Sequence, residues 1–217
     1  MKKDSLELRE ELYNSITWNH TGKMKGMASL STSVTLNKRC EKNASIKGSI
    51  CSHCYACKML KRYGTLEKKL RHNTELLTKE VLPIESLPLI NKCYFRFESF
   101  GDLNNEIQVM NYFNICKKNP LVKFALWTKN PDYIEKAITN GNEKPKNLII
   151  IYSSLFLNSK MTGIMKRYPF IDKVFTVYDK ETATRDDVII NCGGNHCATC
   201  LRCYESNDIV YINELLK

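Results

Sequence analysis

Residues 123–129, KFALWTK, and residues 147–154, NLIIIYSS, decide the fold class. Each is a short apolar run that closes on polar residues. A helical pattern follows each one, the first starting near Pro131 and the second an amphipathic segment reaching to about Tyr168. Short apolar runs alternating with helical patterns are the signature of βα units and a mostly parallel sheet. The same alternation extends in both directions. Residues 26–35 read as a first strand, followed by a polar loop with Cys40, Lys42, Asn43 and Gly48, then by a helical region that Gly64 interrupts and that ends near Thr78. Residues 93–100 read as a second strand with a helix from about Asn104 to Lys118, residues 173–179 as a fifth, and residues 188–191 as a sixth. About six such strands predict one α/β domain over residues 1–217, either a partial (β/α) barrel or an open, mostly parallel sheet, rather than a complete eight-fold barrel.

In this architecture the carboxyl ends of the strands share one rim, and ligands bind there. The strand ends supply Glu98, Ser99 and Asp102, then Trp127, Thr128 and Lys129, then Tyr152, Ser153 and Ser154, then Tyr178, Asp179 and Lys180. On the second strand, alternation sends Phe95 and Phe97 one way and Arg96 and Glu98 the other, so charges face a cleft or barrel interior. Arg96, Asp102 and Lys129 are therefore the candidate catalytic residues, and Glu98, Ser99, Tyr152 and Ser154 the candidate cofactor-binding ones. Each has a plain structural alternative: Asp102 as a helix N-cap, Arg96 with Glu98 as an ion pair, Trp127 as packing. Cys116 falls on a helical stripe with Val109, Tyr112 and Phe113, and Cys93 shares the face of Phe95 and Phe97, so both read as core.

The chain has ten cysteines. The start, MKKDSLELREEL, lacks the apolar segment of a signal peptide, and no run approaches the length of a membrane span. The expectation is a cytoplasmic protein, where disulfides are rare and metal ligation by thiolates is common. Cys51, Cys54 and Cys57 form a C-x2-C-x2-C triple with Cys40 upstream; Cys197, Cys200 and Cys203 form another with Cys192 upstream. On a regular helix such a triple drifts about 60° per step, so the thiols converge only if the backbone wraps. Tight triples with a displaced fourth cysteine suit iron–sulfur clusters, whereas structural zinc usually takes two separated pairs. Two clusters, of the four-iron type, are the leading expectation and zinc is the alternative. His53 and His196 are reserve ligands, and Gly193-Gly194 would let backbone N–H groups approach cluster sulfurs. Both groups should lie on or near the strand-end rim.

The formal net charge is +10 with every cysteine neutral. Two oxidised four-iron clusters, each about −2 with its thiolates, would bring it to about +6, so part of the basicity offsets the clusters. The densest basic stretch, Lys58, Lys61, Arg62, Lys68, Lys69 and Arg71, follows the first cysteine group directly. It reads as a solvated helix face or as a surface for nucleic acid or an anionic substrate.

Taken together, Cys51-Ser-His-Cys54-Tyr-Ala56, the Arg96 to Gly101-Asp102 stretch, Trp127-Thr128-Lys129 and the terminal C-x4-C-x2-C-x2-C group resemble the phage gene product 88 family. The resemblance covers roughly residues 20–205 and implies a phage or prophage origin; it supplies no reaction. A looser similarity to proteins with a radical-SAM-like cysteine signature implies S-adenosylmethionine as a possible cofactor. The spacing departs from C-x3-C-x2-C, and Phe100-Gly101-Asp102 is the nearest candidate to hold a methionine amino group. Three functions compete: a redox or radical enzyme with a small-molecule or nucleic-acid substrate and an electron donor; a zinc-stabilised nucleic-acid-binding module; and a one-electron carrier.

Overall fold

The computed structural model describes residues 3–20, 22–193 and 196–216. Seven strands form one sheet in chain order: β1 (Thr17–Trp18), β2 (Ala28–Leu30), β3 (Tyr94–Phe97), β4 (Lys123–Thr128), β5 (Leu148–Ser153), β6 (Lys173–Tyr178) and β7 (Tyr211–Leu215). β1 runs antiparallel to β2, and every later neighbour is parallel. The sheet is open, with β1 and β7 at its edges. Right-handed crossovers between parallel strands taken in sequence order put the connections on one face. That face carries the main core. It joins Leu30, Phe95, Phe97, Phe124, Leu126, Leu148 and Ile150 to the inner sides of the helices.

The principal helices are α1 (Ser5–Asn14), α2 (Lys38–Ser45), α3 (Tyr55–Arg62), α4 (Gly64–Lys79), α5 (Glu106–Lys118) and α6 (Pro131–Thr139). Short turns follow, α7 (Ile164–Arg167), α8 (Lys180–Arg185) and α9 (Cys197–Cys200). Their limits follow local chemistry. Asn105 caps α5 by accepting from Gln108 N, Pro131 sits in the first turn of α6, and Asp179 caps α8 by accepting from Thr182 N. The expected stripe on α5 is present, with Val109, Tyr112, Phe113 and Cys116 all buried. Phe97 stacks on Tyr112 at 4.1 Å and on Phe124 at 5.2 Å between ring centroids, which locks β3, β4 and α5 together.

Three expectations change. Residues 188–191 are not a strand; they lie along the outer edge of β7, where Asn191 N and Cys192 N both donate to Asn213 O. β7 itself, next to that segment, and the two-residue β1 are strands the sequence did not announce. Cys93 is exposed, because β3 begins one residue later and the chain has not yet entered the packed layer.

The loop after β3 is tightly constrained. A Cβ on Gly101 would stand 2.4 Å from Thr32 O, inside contact with fixed backbone. Gly101→Ala should therefore lower stability by about 1–3 kcal/mol, as overpacking does. Urea denaturation measures it, and an unchanged midpoint would show that the loop yields freely.

Candidate functional site

Cys40 is placed by Asn37. The Asn37 side-chain oxygen accepts from Arg39 N and Cys40 N to cap α2, while its amide donates to Asp102 O at 2.9 Å and Leu103 O at 3.2 Å. One residue thus fixes the first cysteine against the loop after β3. Cys51 lies in a 3-10 turn, Ile50–His53, which Ile50 N anchors to Leu155 O beyond the end of β5. The chain bends at Cys54, which precedes α3, and Cys57 follows within the helix. The triple therefore does not ride a regular helix, and the wrapping expected from its spacing occurs at the turn. Cys51, Cys54 and Cys57 line a concavity of about 520 Å³ with His53, Lys58 and Lys61. Cys40 lies deeper, its thiol pushed far up by burial and then by Asp102, Cys51, Glu98 and Cys54. Burial also raises Cys51, against the pull of the Lys129 ammonium.

The second set converges more completely. Cys192, Cys197, Cys200 and Cys203 all line one concavity of about 430 Å³, with Lys23, Tyr204 and Ile212. Cys192 is held on the edge of β7 by its bridge to Glu214. α9 carries Cys197 and Cys200, and Leu201 in the left-handed region (φ 55°) turns the chain toward Cys203. Arg202 donates to Asn191 O and closes the segment. The Cys203 thiol is pushed up to about 12, chiefly by burial, with Arg96 opposing. His196 Nδ1 lies 3.0 Å from Gly22 O, and Gly194 is outside the described residues. Rather than standing only over the strand ends, this segment packs on the face of the sheet opposite the main helices, where Cys197 and Cys203 join the cluster of Tyr94, Ala125, Trp127 and Ile151.

Among the described residues no group of three or more His, Cys, Asp or Glu side chains is disposed to hold a single metal ion. Zinc draws its ligands onto one centre, whereas the thiolates of a cluster bind separate irons and stand farther apart. The donor chemistry of both sets is all thiol, which an iron–sulfur cluster would take. Buried thiols stay protonated unless positive charge offsets their desolvation, and a metal held by thiolates would supply that charge.

The strand-end residues sort into builders and exposed groups. Glu98 does not share the face of Arg96. Its φ of 56° breaks the alternation and turns the carboxylate into the helical layer, where it is 2% exposed. There it accepts from Thr32 N, Thr32 Oγ1, Gln108 Nε2 and Tyr112 Oη, the last two at 2.6 and 2.5 Å. The proposed Arg96–Glu98 ion pair is therefore absent. Asp102 does not cap α5, a task that falls to Asn105. Its buried carboxylate accepts from Leu103 N, Thr128 Oγ1 and Lys129 N at 2.8, 2.6 and 2.9 Å, and so clamps the loop after β3 to the end of β4. Ser99 bonds the hydroxyls of Ser29 and Ser31, and Ser154 bonds Phe156 O; both are buried. Tyr152 is half-buried against the helices. Lys129 extends its ammonium to Ser153 Oγ at 2.9 Å, close enough to Cys51 for their charges to interact. Arg96 lies on the face opposite the main helices with its guanidinium carbon 3.9 Å from the Trp127 ring centroid. Sequence reasoning missed Asn37, Thr32, Gln108 and Tyr204, polar or aromatic residues whose roles depend on partners distant in the chain.

The family model described as Gene product 88 matches residues 7–213. The chain belongs to that family. The match spans both cysteine sets and every strand except the last two residues of β7. No curated protein and no solved structure matches the chain. No described helix is long and apolar enough to cross a membrane.

Burial raises Glu98 to about 7 from its ordinary 4.5, with hydrogen bonds from Tyr112 and Thr32 opposing. The folded state thus holds a proton that the unfolded chain releases. The associated stability is fully present below about pH 4.5 and is lost as pH rises through about 7. The full span is on the order of 3 kcal/mol. Wild type should lose stability relative to Glu98→Gln between pH 5 and 8 in denaturant titrations; a pH-independent difference would show the carboxylate ionised throughout.

Proposed function

We propose that this is an iron–sulfur protein with two cluster sites that works as a redox or radical enzyme on a small anionic molecule, drawing electrons from a donor through the second site. The observation that supports it is the gathering of Cys192, Cys197, Cys200 and Cys203 around one concavity, and of Cys51, Cys54 and Cys57 around another with Cys40 buried beside them. Cys40, Cys51, Cys54 and Cys57 would hold the first cluster; Cys192, Cys197, Cys200 and Cys203 the second. Bound clusters would supply one-electron transfer.

The chain's own residues would do the rest. Lys129 places a positive charge between Ser153 and the first cysteine set, suited to an anionic group of the substrate. Asp102 positions rather than contacts: by holding Lys129 N and Thr128 Oγ1 it fixes where the lysine leaves the strand. Lys58 and Lys61 at the mouth add a cationic approach. S-adenosylmethionine as a cofactor would need an iron with a free coordination position. The Phe100-Gly101-Asp102 loop is closed against Thr32 and its carboxylate is fully engaged, so a methionine amino group would have to be met elsewhere. The zinc-stabilised nucleic-acid module and the plain electron carrier remain the rivals that metal analysis separates.

Anaerobically purified protein should be brown, with iron and sulfide in stoichiometric amounts. Cys51→Ser should lose about half the iron, whereas Cys93→Ser and Cys116→Ser should lose none. Colourless protein containing zinc would overturn the reading. Loss of a full site's iron in folded Cys93→Ser would show the cysteines wrongly partitioned.

Cys57 lies farthest along α3 and decides whether the first site is open. If three thiolates suffice, Cys57→Ser should keep most of its iron, and its electronic spectrum should change on addition of S-adenosylmethionine. A cluster lost as completely as in Cys51→Ser would mark four-thiolate ligation and favour electron relay over radical chemistry.

A further inference from the structure

Among the described residues no carboxylate pairs with Arg96. The arginine projects from the middle of β3 onto the face opposite the main helices, stacked on Trp127 at 3.9 Å. Its nearest polar contact is Nη1 to the Met24 sulfur at 4.0 Å, too weak to compensate a charge. Nε is buried and has no hydrogen-bond partner. The carboxylate that alternation would have placed beside it, Glu98, is turned to the opposite face. A guanidinium held in this way is costly unless an anion meets it.

A second unpartnered donor lies close by. Tyr204 is 2% exposed, its ring packs edge-on to Trp127 at 5.9 Å and to Tyr94 at 5.8 Å, and its hydroxyl is buried with no partner. Tyr204 directly follows Cys203 in the chain and lines the second concavity. Cys197 and Cys203 pack into the same aromatic layer. A buried nitrogen of Arg96 and the buried hydroxyl of Tyr204, both unpartnered among the described residues, therefore lie in the aromatic layer on which Cys197 and Cys203 pack.

We propose that Arg96 and Tyr204 are the donor pair of the second site: the guanidinium is the counter-ion of an anionic iron–sulfur cluster held by Cys192, Cys197, Cys200 and Cys203, and the tyrosine hydroxyl donates to the same group. This rests on the two-cluster reading. Hydrogen bonds and positive charge near cluster sulfurs raise the reduction potential, because reduction adds negative charge. The pair thus makes the second site a better electron acceptor than its thiolates alone would.

The test uses holoprotein purified anaerobically, with iron and sulfide counted and both cluster signals followed in a spectroscopic redox titration. Cys200→Ser identifies which signal belongs to the second site. Arg96→Gln should shift that signal to lower potential or lose it, and leave the first site's iron in place; Arg96→Lys should restore much of the potential. Tyr204→Phe removes only the unpartnered oxygen, so it should fold normally and lower the same potential by a smaller step; if Arg96→Gln does not fold, this variant decides. Full iron with unchanged second-site potential in folded Arg96→Gln or, in its place, Tyr204→Phe would overturn the donor-pair proposal and leave the cluster reading standing. Wild-type protein without iron would overturn both.

Discussion

The buried carboxylate of Glu98 is the interaction on which the rest of the site depends. It stands at the end of β3 in a left-handed conformation, among donors from the segment after β2 and from α5. Burying a carboxylate costs several kcal/mol unless its oxygens are filled. Thr32, Gln108 and Tyr112 fill them, and Thr32 and the carboxylate in turn leave no room for a side chain at Gly101. That loop then delivers Asp102 to the end of β4. A local reversal of the backbone is in this way converted into a fixed relation among three strand ends.

From Asp102 the order passes to both chemistries of the site. Its carboxylate holds Thr128 and the backbone of Lys129, and its carbonyl receives the amide of Asn37, whose oxygen caps the helix that carries Cys40. A deep thiol and the extended ammonium are thus referred to one residue. Burying Asp102 and Cys40 side by side raises both pKa values, and the Lys129 charge relieves Asp102. This favours a site built to receive positive charge, as bound iron would bring, at the cysteines.

Strand order explains the second site. A parallel sheet wound in one direction covers one face with helices and leaves the other bare. In a closed barrel that face becomes the packed interior; in this open sheet the segment from Cys192 to Tyr204 covers part of it. Aromatic rings from β3, β4 and that segment form the layer beneath the thiols, and Arg96 is caught within it. The two cysteine sets therefore have different surroundings. One looks out past lysines at the strand ends, and the other is seated on aromatic side chains.

Much was determined by the sequence alone. Apolar runs between helical patterns prescribe a mostly parallel sheet, the α5 stripe prescribes its own burial, and the two cysteine triples with their displaced fourths prescribe two sets, because each of these rests on spacing within a few residues. Gly64 as a helix break and the wrapping at Cys51 are equally local. The tertiary structure alone decided the face of Glu98, since one positive φ cancels the period-two rule and only its partners on α5 and beyond β2 stabilise it there. It decided that Asp102 is a clamp and not a cap, that residues 188–191 line an edge already occupied by β7, and that Arg96 has no carboxylate to meet. These depend on which distant groups arrive at the same place, and a linear pattern carries no record of that meeting.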